Sequence, residues 1–300
     1  MGDVGAGAGM AYDPAVGSEI EQRYWREIWR TAVYDAVEEH RIDLARFGPV
    51  QAALVASEFE EPMLNVIWGA EAPDTIEAEH LADAVEWVRS HGVDHRIPLT
   101  PGSPTPSAAE RWLRRRGYEQ EEEGVAKFVR DISPPAFAEP PGIEIVEFDG
   151  DEPGESETFS DLMVAGLGGW WMETFFYGIQ DRPGWRAFVA IDEEERGLSC
   201  ALMLTHEEVA ELGPVAPMEA EAPGGGDCQI ALLRHCILEA AGAGCRLIAA
   251  EAGEPDPEDP STSYGNLLEA GFEQTFVRRD WRPPREAIEA ERKRRVWWAG

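Results

Sequence analysis

Hydrophobic positions along the chain follow two periods, one typical of helices and one typical of strands. Apolar residues at steps of three and four predict helices, and alternating or short continuous apolar runs predict strands. The predicted helices are residues 13–40, 77–91, 107–116, 158–167, 229–243 and 261–271. The predicted strands are 50–57, 63–69, 93–99, one around 118, 126–132, 143–148, 186–191, 198–205, 209–215, 245–250 and 273–281. This interspersed order predicts an α/β protein in which mixed central sheets are flanked by helices.

A short sequence pattern occurs twice. Leu113 begins the run LRRRGYEQ, Leu267 begins LLEAGFEQ, and an F-V-R triplet comes after each run. In both places a helix ending at glycine precedes the pattern, and the spacing from that glycine to the glycine of the pattern is 25 residues in one case and 27 in the other. We interpret this as an internal duplication, and the alternative is two unrelated units that converged on the same motif.

The predicted domain organisation depends on the duplication and on composition. Residues 133–142 contain four prolines and predict an extended linker. We therefore expect a flexible N-terminus at 1–12, a first unit at 13–132, a second unit at 143–283, and a C-terminal helix or tail at 284–300.

A glycine run before the last long predicted helix indicates an anion site. Gly224, Gly225 and Gly226 are consecutive, and the helix is predicted from Gln229. Glycines permit a sharp turn that exposes backbone amides, and the first amides of a helix favour phosphate. The chain lacks the spacing of the dinucleotide fingerprint and the lysine of the P-loop. A flexible surface loop before an ordinary core helix is the alternative.

With this turn, the run QIALLR, the strand CRLIAA and the helix that ends in Gly271-Phe272, the chain resembles the GNAT superfamily of N-acetyltransferases over residues 142–283. That family has a strand, a Q/R-x-x-G-x-G/A turn that cradles the coenzyme A pyrophosphate, a helix, a strand and a helix ending in "GF". The resemblance implies acetyl-CoA as cosubstrate. This chain departs from the pattern in the turn itself, where the arginines are missing and Asp227 stands where a glycine would face phosphate.

The resemblance implies roles for residues along the second unit. Glu211 would be the general base, with a solvated strand glutamate as the alternative, and Tyr264 would be a fallback proton donor. Strand amides would hold the pantetheine and polarise the thioester, although Pro214 and Pro217 lack a donor. The implied coenzyme-binding residues are Val215, Ala216, Met218, Gly224, Gly225, Gly226, Asp227, Cys228, Gln229 and Asn266.

Aromatic residues are dense between the first and second strands of this unit. In the family this region lies over the acceptor site, so the resemblance makes them candidate substrate walls. The alternative is a helix that docks its aromatic face on the first unit. The residues are Trp170, Trp171, Phe175, Phe176 and Tyr177.

The first unit has no glycine-rich turn before its helix. Residues 69–79 place carboxylates where phosphates would bind. We expect this unit to bind no coenzyme and to cover a sheet edge or form a wall of the acceptor cleft.

Composition narrows the class of partner. A formal charge of −32 argues against nucleic acid and would attract a cationic amine. The absence of a long apolar run or a signal peptide predicts no membrane association and a cytoplasmic location. The four cysteines lack C-x-x-C spacing, so we expect no metal and buried thiols.

The sequence therefore predicts an acidic N-acetyltransferase that acts on a primary amine of a small molecule or peptide, as a monomer or homodimer. The alternative is an inactive GNAT-like fold that serves as a small-molecule or protein binding module.

Overall fold

The computed structural model describes residues 14–32, 34–58, 60–101, 107–137, 140–148, 154–167, 169, 171–217, 225–255 and 262–284. Its helices are α1 Pro14–Trp29, α2 Tyr34–His40, α3 His80–Ser90, α4 Ala108–Arg115, α5 Glu155–Leu167, α6 Trp171–Phe176, α7 Gly225–Gly242 and α8 Thr262–Glu269. Its strands are β1 Ile42–Phe47, β2 Val50–Val55, β3 Val66–Trp68, β4 Glu119–Gln120, β5 Val125–Asp131, β6 Glu144–Phe148, β7 Trp185–Ile191, β8 Gly197–His206, β9 Val209–Pro217, β10 Leu247–Gly253, β11 Glu273–Arg278 and β12 Trp281–Arg282.

The larger sheet has seven strands in the order β11-β5-β10-β9-β8-β7-β6. Its strands pair antiparallel except for β9 and β10, which run parallel. Helices α7 and α8 pack on one face, and α1, α5 and α6 pack on the other. The parallel pair at the centre of the sheet is the place where two strands can diverge.

We call the elements from α1 to β5 the first half of the chain and those from β6 to β12 the second half. The two halves exchange strands. In the larger sheet, β5 from the first half lies between β10 and β11 of the second half. In return, Trp281 of β12 bridges Ile97, and β12 pairs with β4. Val66 of β3 bridges Arg96. The β1-β2-β3 sheet of the first half is therefore followed, in space, by residues 96–97, then by β12 and then by β4. In each of these two strand orders, the strand next to the edge comes from the other half: β5 lies beside the edge strand β11, and β12 lies beside the edge strand β4.

The predicted α/β class with mixed sheets flanked by helices is confirmed. The division into units at 133–142 stays a prediction, and the strand exchange crosses it. Two details differ from the predicted elements. The single helix predicted over 13–40 corresponds to two helices, α1 and α2. The pattern does not predict β1, because Arg46 ends the apolar alternation that Ile42 and Leu44 begin.

Among the described residues, three apolar cores hold the layers together. The first joins α1 and the smaller sheet to α5, α6 and one face of the larger sheet, and the second lies beneath α7 and α8. The third lies between the smaller sheet and helices α3 and α4. Because α1 packs on the larger sheet, a helix of the first half covers the centre of the second. Within the described residues, no helix is long and apolar enough to cross a bilayer.

Candidate functional site

A cavity of about 300 Å³ lies where β9 and β10 part. The two strands pair from Val209 to Leu212 and from Leu247 to Ala250, and beyond that register both strands continue on opposite sides of the cavity. Helices α7 and α8 close one side, and the first half contributes to the other. Its lining residues are Trp25, Met63, Val125, Leu212, Gly213, Val215, Gln229, Leu233, Ala250, Glu251, Ala252, Gly253, Ser263 and Leu267.

A β-bulge shapes the β9 side of this cavity. Leu202 of β8 pairs with Gly213 and Ala201 pairs with Val215, so Pro214 is the extra residue. Proline has no amide to donate to the ladder, which suits it to a bulge. Gly213 also permits close packing, because a Cβ there would lie 2.0 Å from the hydroxyl of Tyr24 on α1. Helix α1 therefore contacts the backbone of β9 at the point where the strands separate.

The N-terminal turns of helix α7 lie beside the cavity, which Gln229 of this helix lines. The helix begins at Gly225, so its first four amides belong to Gly225, Gly226, Asp227 and Cys228. The first four amides of a helix lack an intrahelical acceptor and carry the positive end of its dipole. Gln229, which lines the cavity, accepts a hydrogen bond from Asn266 at 2.7 Å. The arrangement combines an amide-rich helix start with an apolar channel.

Asp227 and Cys228 differ in their surroundings. Asp227 is exposed in the first turn of α7. Cys228 is buried in the core under the helix, and burial together with the charge of Asp227 raises the pKa of its thiol. The other three cysteines are buried as well, as predicted. At Asp227 and Cys228 the backbone amides, and not the side chains, are suited to hold an anion.

Glu211 is a buried carboxyl on β9. It is 4% exposed, so it is not a solvated strand residue. Its neighbours Ala210 and Leu212 face the core under α7, so Glu211 faces α1. Its Oε2 atom is buried and has no hydrogen-bond partner among the described residues. Burial, together with the charge of Glu21, raises the pKa of Glu211 well above the ordinary value for glutamate.

A network of buried ion pairs lies beside Glu211. Burial would raise the pKa of Glu21, but Arg278 and Lys127 lower it to about 2. Lys127 of β5 contacts Glu21 of α1 at 2.9 Å and also pairs with Glu251, which lines the cavity. Arg278 of β11 also pairs with Glu21. The network thus joins α1 to the exchanged strand β5 and to its neighbour β11.

The remaining coenzyme-site and proton-donor predictions fall in several places. Val215 lines the cavity, and Ala216 pairs with Cys200 in the sheet. Tyr264 donates its hydroxyl to Gln274 and packs edge-on against Phe128. Met218 and Gly224 lie outside the described residues.

The predicted acceptor wall is placed differently. Phe175 and Phe176 are 1% and 0% exposed and pack in the core that joins α6 to α1, where Phe175 lies 5.1 Å from the ring of Trp29. Fully buried rings leave no surface for a substrate, so this corrects their assignment to the wall and matches the docked-helix alternative. Tyr177 is exposed. Trp170 and the side chain of Trp171 are outside the described residues.

Sequence reasoning missed the residues that the first half contributes. Trp25 and Met63 line the cavity, and Glu21 and Lys127 form the buried network beside it. Two signals were present. Glu21 lies between apolar positions on a helix, and Lys127 is one of only two lysines and stands inside an apolar strand. A charge in such a position needs a partner.

Solved structures share this fold. A GCN5-related N-acetyltransferase from Sphaerobacter thermophilus superposes with a TM-score of 0.57 at 14% identity, over 78% of this chain and 76% of that one. One from Kribbella flavida gives 0.55 at 13% identity, over 90% and 96%. A tandem GNAT protein from the clavulanic acid biosynthesis pathway, solved without AcCoA, gives 0.52 at 16% identity, over 78% and 77%.

The chain therefore has the fold of the GCN5-related N-acetyltransferases, and the predicted resemblance is confirmed at that level. A tandem arrangement occurs among the similar structures. No protein-family model matches the sequence, and no curated protein matches it. At these identities the likeness concerns the fold, so the reaction must be argued from the site.

Proposed function

We propose that the chain is an N-acetyltransferase that moves an acetyl group from acetyl-CoA to a primary amine. The observation that carries the proposal is the cavity between β9 and β10, with the start of α7 in the same half and a buried carboxyl on β9. This combination supplies a place for an apolar arm, amides for phosphate and a group able to take a proton.

The chain's residues suit coenzyme A in two respects. The amides of Gly225 to Cys228 would hold the pyrophosphate, since helix starts favour anions. The cavity, lined by Leu212, Val215 and Leu233 among others, would hold the pantetheine arm. When bound, acetyl-CoA supplies the reactive thioester. Local amides decide binding despite the charge of −32, because salt screens interactions beyond about 8–10 Å.

Glu211 is the general base in this proposal. An amine must lose a proton before it can attack a thioester, and a carboxyl with a raised pKa is better matched to that transfer near neutral pH. Glu211 faces α1 rather than lining the cavity, so it acts through water. Tyr264 remains the predicted proton donor, and its hydroxyl must first leave Gln274.

The second candidate, a binding module without turnover, is favoured by Asp227. Its exposed carboxylate stands in the first turn of α7, where it opposes a phosphate at the same amides. Binding of a small neutral or cationic molecule in the cavity would not meet this repulsion.

Calorimetric titration of the full chain with acetyl-CoA and with coenzyme A separates the two candidates. We expect both to bind, and we expect acetyl-CoA to be consumed when spermidine, ethanolamine or lysine is added as an amine. If acetyl-CoA at millimolar concentration gives neither heat nor a thermal shift, the enzyme proposal fails and the binding module stands. Coenzyme binding in which every amine tested leaves the thioester intact also favours the module.

A further inference from the structure

A second cavity lies on the first half of the chain, between α1 and the smaller sheet. It measures about 350 Å³, and among the residues that the structure describes it shares no lining residue with the cavity between β9 and β10. We call it the arginine groove and define it by Arg26 of α1 and Arg30, which directly follows α1, with Leu44, Arg46, Gln51 and Trp68 of the sheet. The residues come from four different elements, so the fold itself assembles the groove.

Three guanidinium groups meet in this groove, on a protein with 58 acidic and 26 basic residues. Glu27 offsets part of the charge by pairing with Arg30 at 2.9 Å and contacting Arg26 at 3.8 Å. A further arginine approaches, since Arg182 donates to the carbonyl of Arg30 at 2.6 Å. On so acidic a surface, cations would ordinarily be drawn to separate carboxylates, and here they are held together instead.

One hydrogen-bond donor in the groove lacks an acceptor among the described residues. The Nε atom of Arg26 is buried and has no hydrogen-bond partner among the described residues. Burial first, and then the charge of Arg30, lower the pKa of Arg26, and Arg23 and Arg46 act in the same direction. Repulsion between like charges costs stability, and so does a buried Nε donor whose contact with Glu27 at 3.8 Å is too long for a hydrogen bond. An anion among the guanidinium groups relieves both.

We infer that the arginine groove is a binding site for a small molecule that carries an oxyanion group, a phosphate or a carboxylate. Guanidinium groups present paired donors that match both groups. The volume exceeds that of several water molecules at about 30 Å³ each, so it accepts more than a single ion. The buried Trp68 lies at one wall beside the charges.

The test measures binding of inorganic phosphate, sulfate and citrate to the full chain by calorimetry and thermal shift at low ionic strength. The variants are Arg30→Gln and Arg46→Gln, because both side chains are exposed and the fold should survive their loss. Arg246→Gln is the matched control, since it removes the same charge from an exposed pair with Glu208. We expect at least one probe to bind the native chain, each groove variant to weaken it about tenfold, and the control to bind like the native chain.

Preference for phosphate and sulfate over citrate would identify a phosphate-type ligand, and the reverse would identify a carboxylate. The inference is overturned if no probe binds, or if Arg246→Gln weakens binding as much as the groove variants do. Acetyl-CoA is titrated into the same variants. Unchanged coenzyme affinity in Arg46→Gln supports a separate site, whereas a parallel loss would assign the groove to the coenzyme and overturn it as a site of its own.

Discussion

Each half of the chain has a run of three antiparallel strands, β1-β2-β3 or β7-β8-β9, followed in the sequence by a helix, and the two halves differ at the start of that helix. In the second half, β9 and β10 part around a cavity and α7 starts with glycines. In the first half, β3 leads into a loop, residues 69–79, that folds back on the start of α3. Thr75 donates its hydroxyl to the carbonyl of Ala70, and its own carbonyl accepts the amide of Leu81 in the first turn of α3.

A side-chain hydrogen bond also tethers this loop to the chain that follows α3. Glu71 accepts a hydrogen bond from the amide of Thr100 at 2.9 Å. The turn at Gly69 needs glycine, because its φ is +79° and a Cβ would lie 2.6 Å from the carbonyl oxygen of Pro49. This glycine serves a tight turn rather than an open anion site.

The fold alone therefore does not provide a coenzyme site. A loop that bonds its own helix start uses up the amides that a phosphate would need. The expectation that the first half binds no coenzyme stays a prediction, and this closed loop supports it. Instead, the first half supplies α1, Met63 and β5 to the surroundings of the second half's cavity.

The largest expected effect comes from removing the carboxyl on β9. With Glu211→Gln, kcat/KM for acetyl transfer to an amine should fall about 10²- to 10⁴-fold, the usual contribution of a general base. In the native chain kcat/KM should rise with pH as Glu211 loses its proton, and the variant should lack that rise. Steady-state kinetics over a range of pH measures both.

Glu208→Gln is the control for this experiment, because Glu208 is exposed and close in sequence to Glu211. Its rate and pH profile should match those of the native chain. A Glu211→Gln variant with native kcat/KM and the same pH profile would show that Glu211 is not the general base. The carboxyl would then not distinguish the second half from the first in its chemistry.

A smaller effect tests the seam between the halves, by which we mean the buried ion pairs of Glu21 with Lys127 and Arg278. Glu21→Gln weakens the contacts of α1 with Lys127 and Arg278 and should lower the free energy of unfolding by about 3 kcal/mol, which is the low end for breaking a buried ion pair because both cations keep another carboxylate. Denaturant unfolding measures it. The exposed Glu208→Gln should cost less than about 1 kcal/mol.

The pH dependence of this loss is set by the sign of the pKa shift. Glu21 has a pKa of about 2 in the folded chain, below its ordinary 4.5. The stabilisation by ionised Glu21 is therefore present above pH 4.5 and is lost as the pH falls toward 2. The difference between native and Glu21→Gln chains should shrink over that window. A constant difference would mean that packing, not charge, joins the halves.

Local patterns were sufficient for much of the fold. The apolar spacing that predicted a helix at 77–91 corresponds to α3, and the run 209–215 corresponds to β9. The start of α7 was placed four residues late, at Gln229 instead of Gly225, because consecutive glycines favour turns over helices. The duplication stays a prediction, and the antiparallel runs β1-β2-β3 and β7-β8-β9 are a feature that the two halves share.

The strand exchange and the seam could not be predicted from local patterns. The apolar run of β5 predicts a strand, but its partners β10 and β11 lie more than a hundred residues away in sequence. A strand pattern contains no information on which half it pairs with. The same holds for Glu21, whose partners Lys127 and Arg278 are brought near only by that pairing. The aromatic segment was misjudged because density of aromatics favours a core as readily as a ligand site.

The smallest expected effect compares the two helix starts directly. Asp227 lies in the first turn of α7 and Asp83 in the first turn of α3. Either Asp→Asn change should cost about 0.3–1 kcal/mol of stability, because a carboxylate favours the positive end of a helix. Only Asp227→Asn should also tighten coenzyme A binding, about two- to fivefold, because it removes a negative charge beside the proposed pyrophosphate amides. Calorimetry on both variants measures the contrast, and equal coenzyme affinity in the two would place the phosphate away from α7.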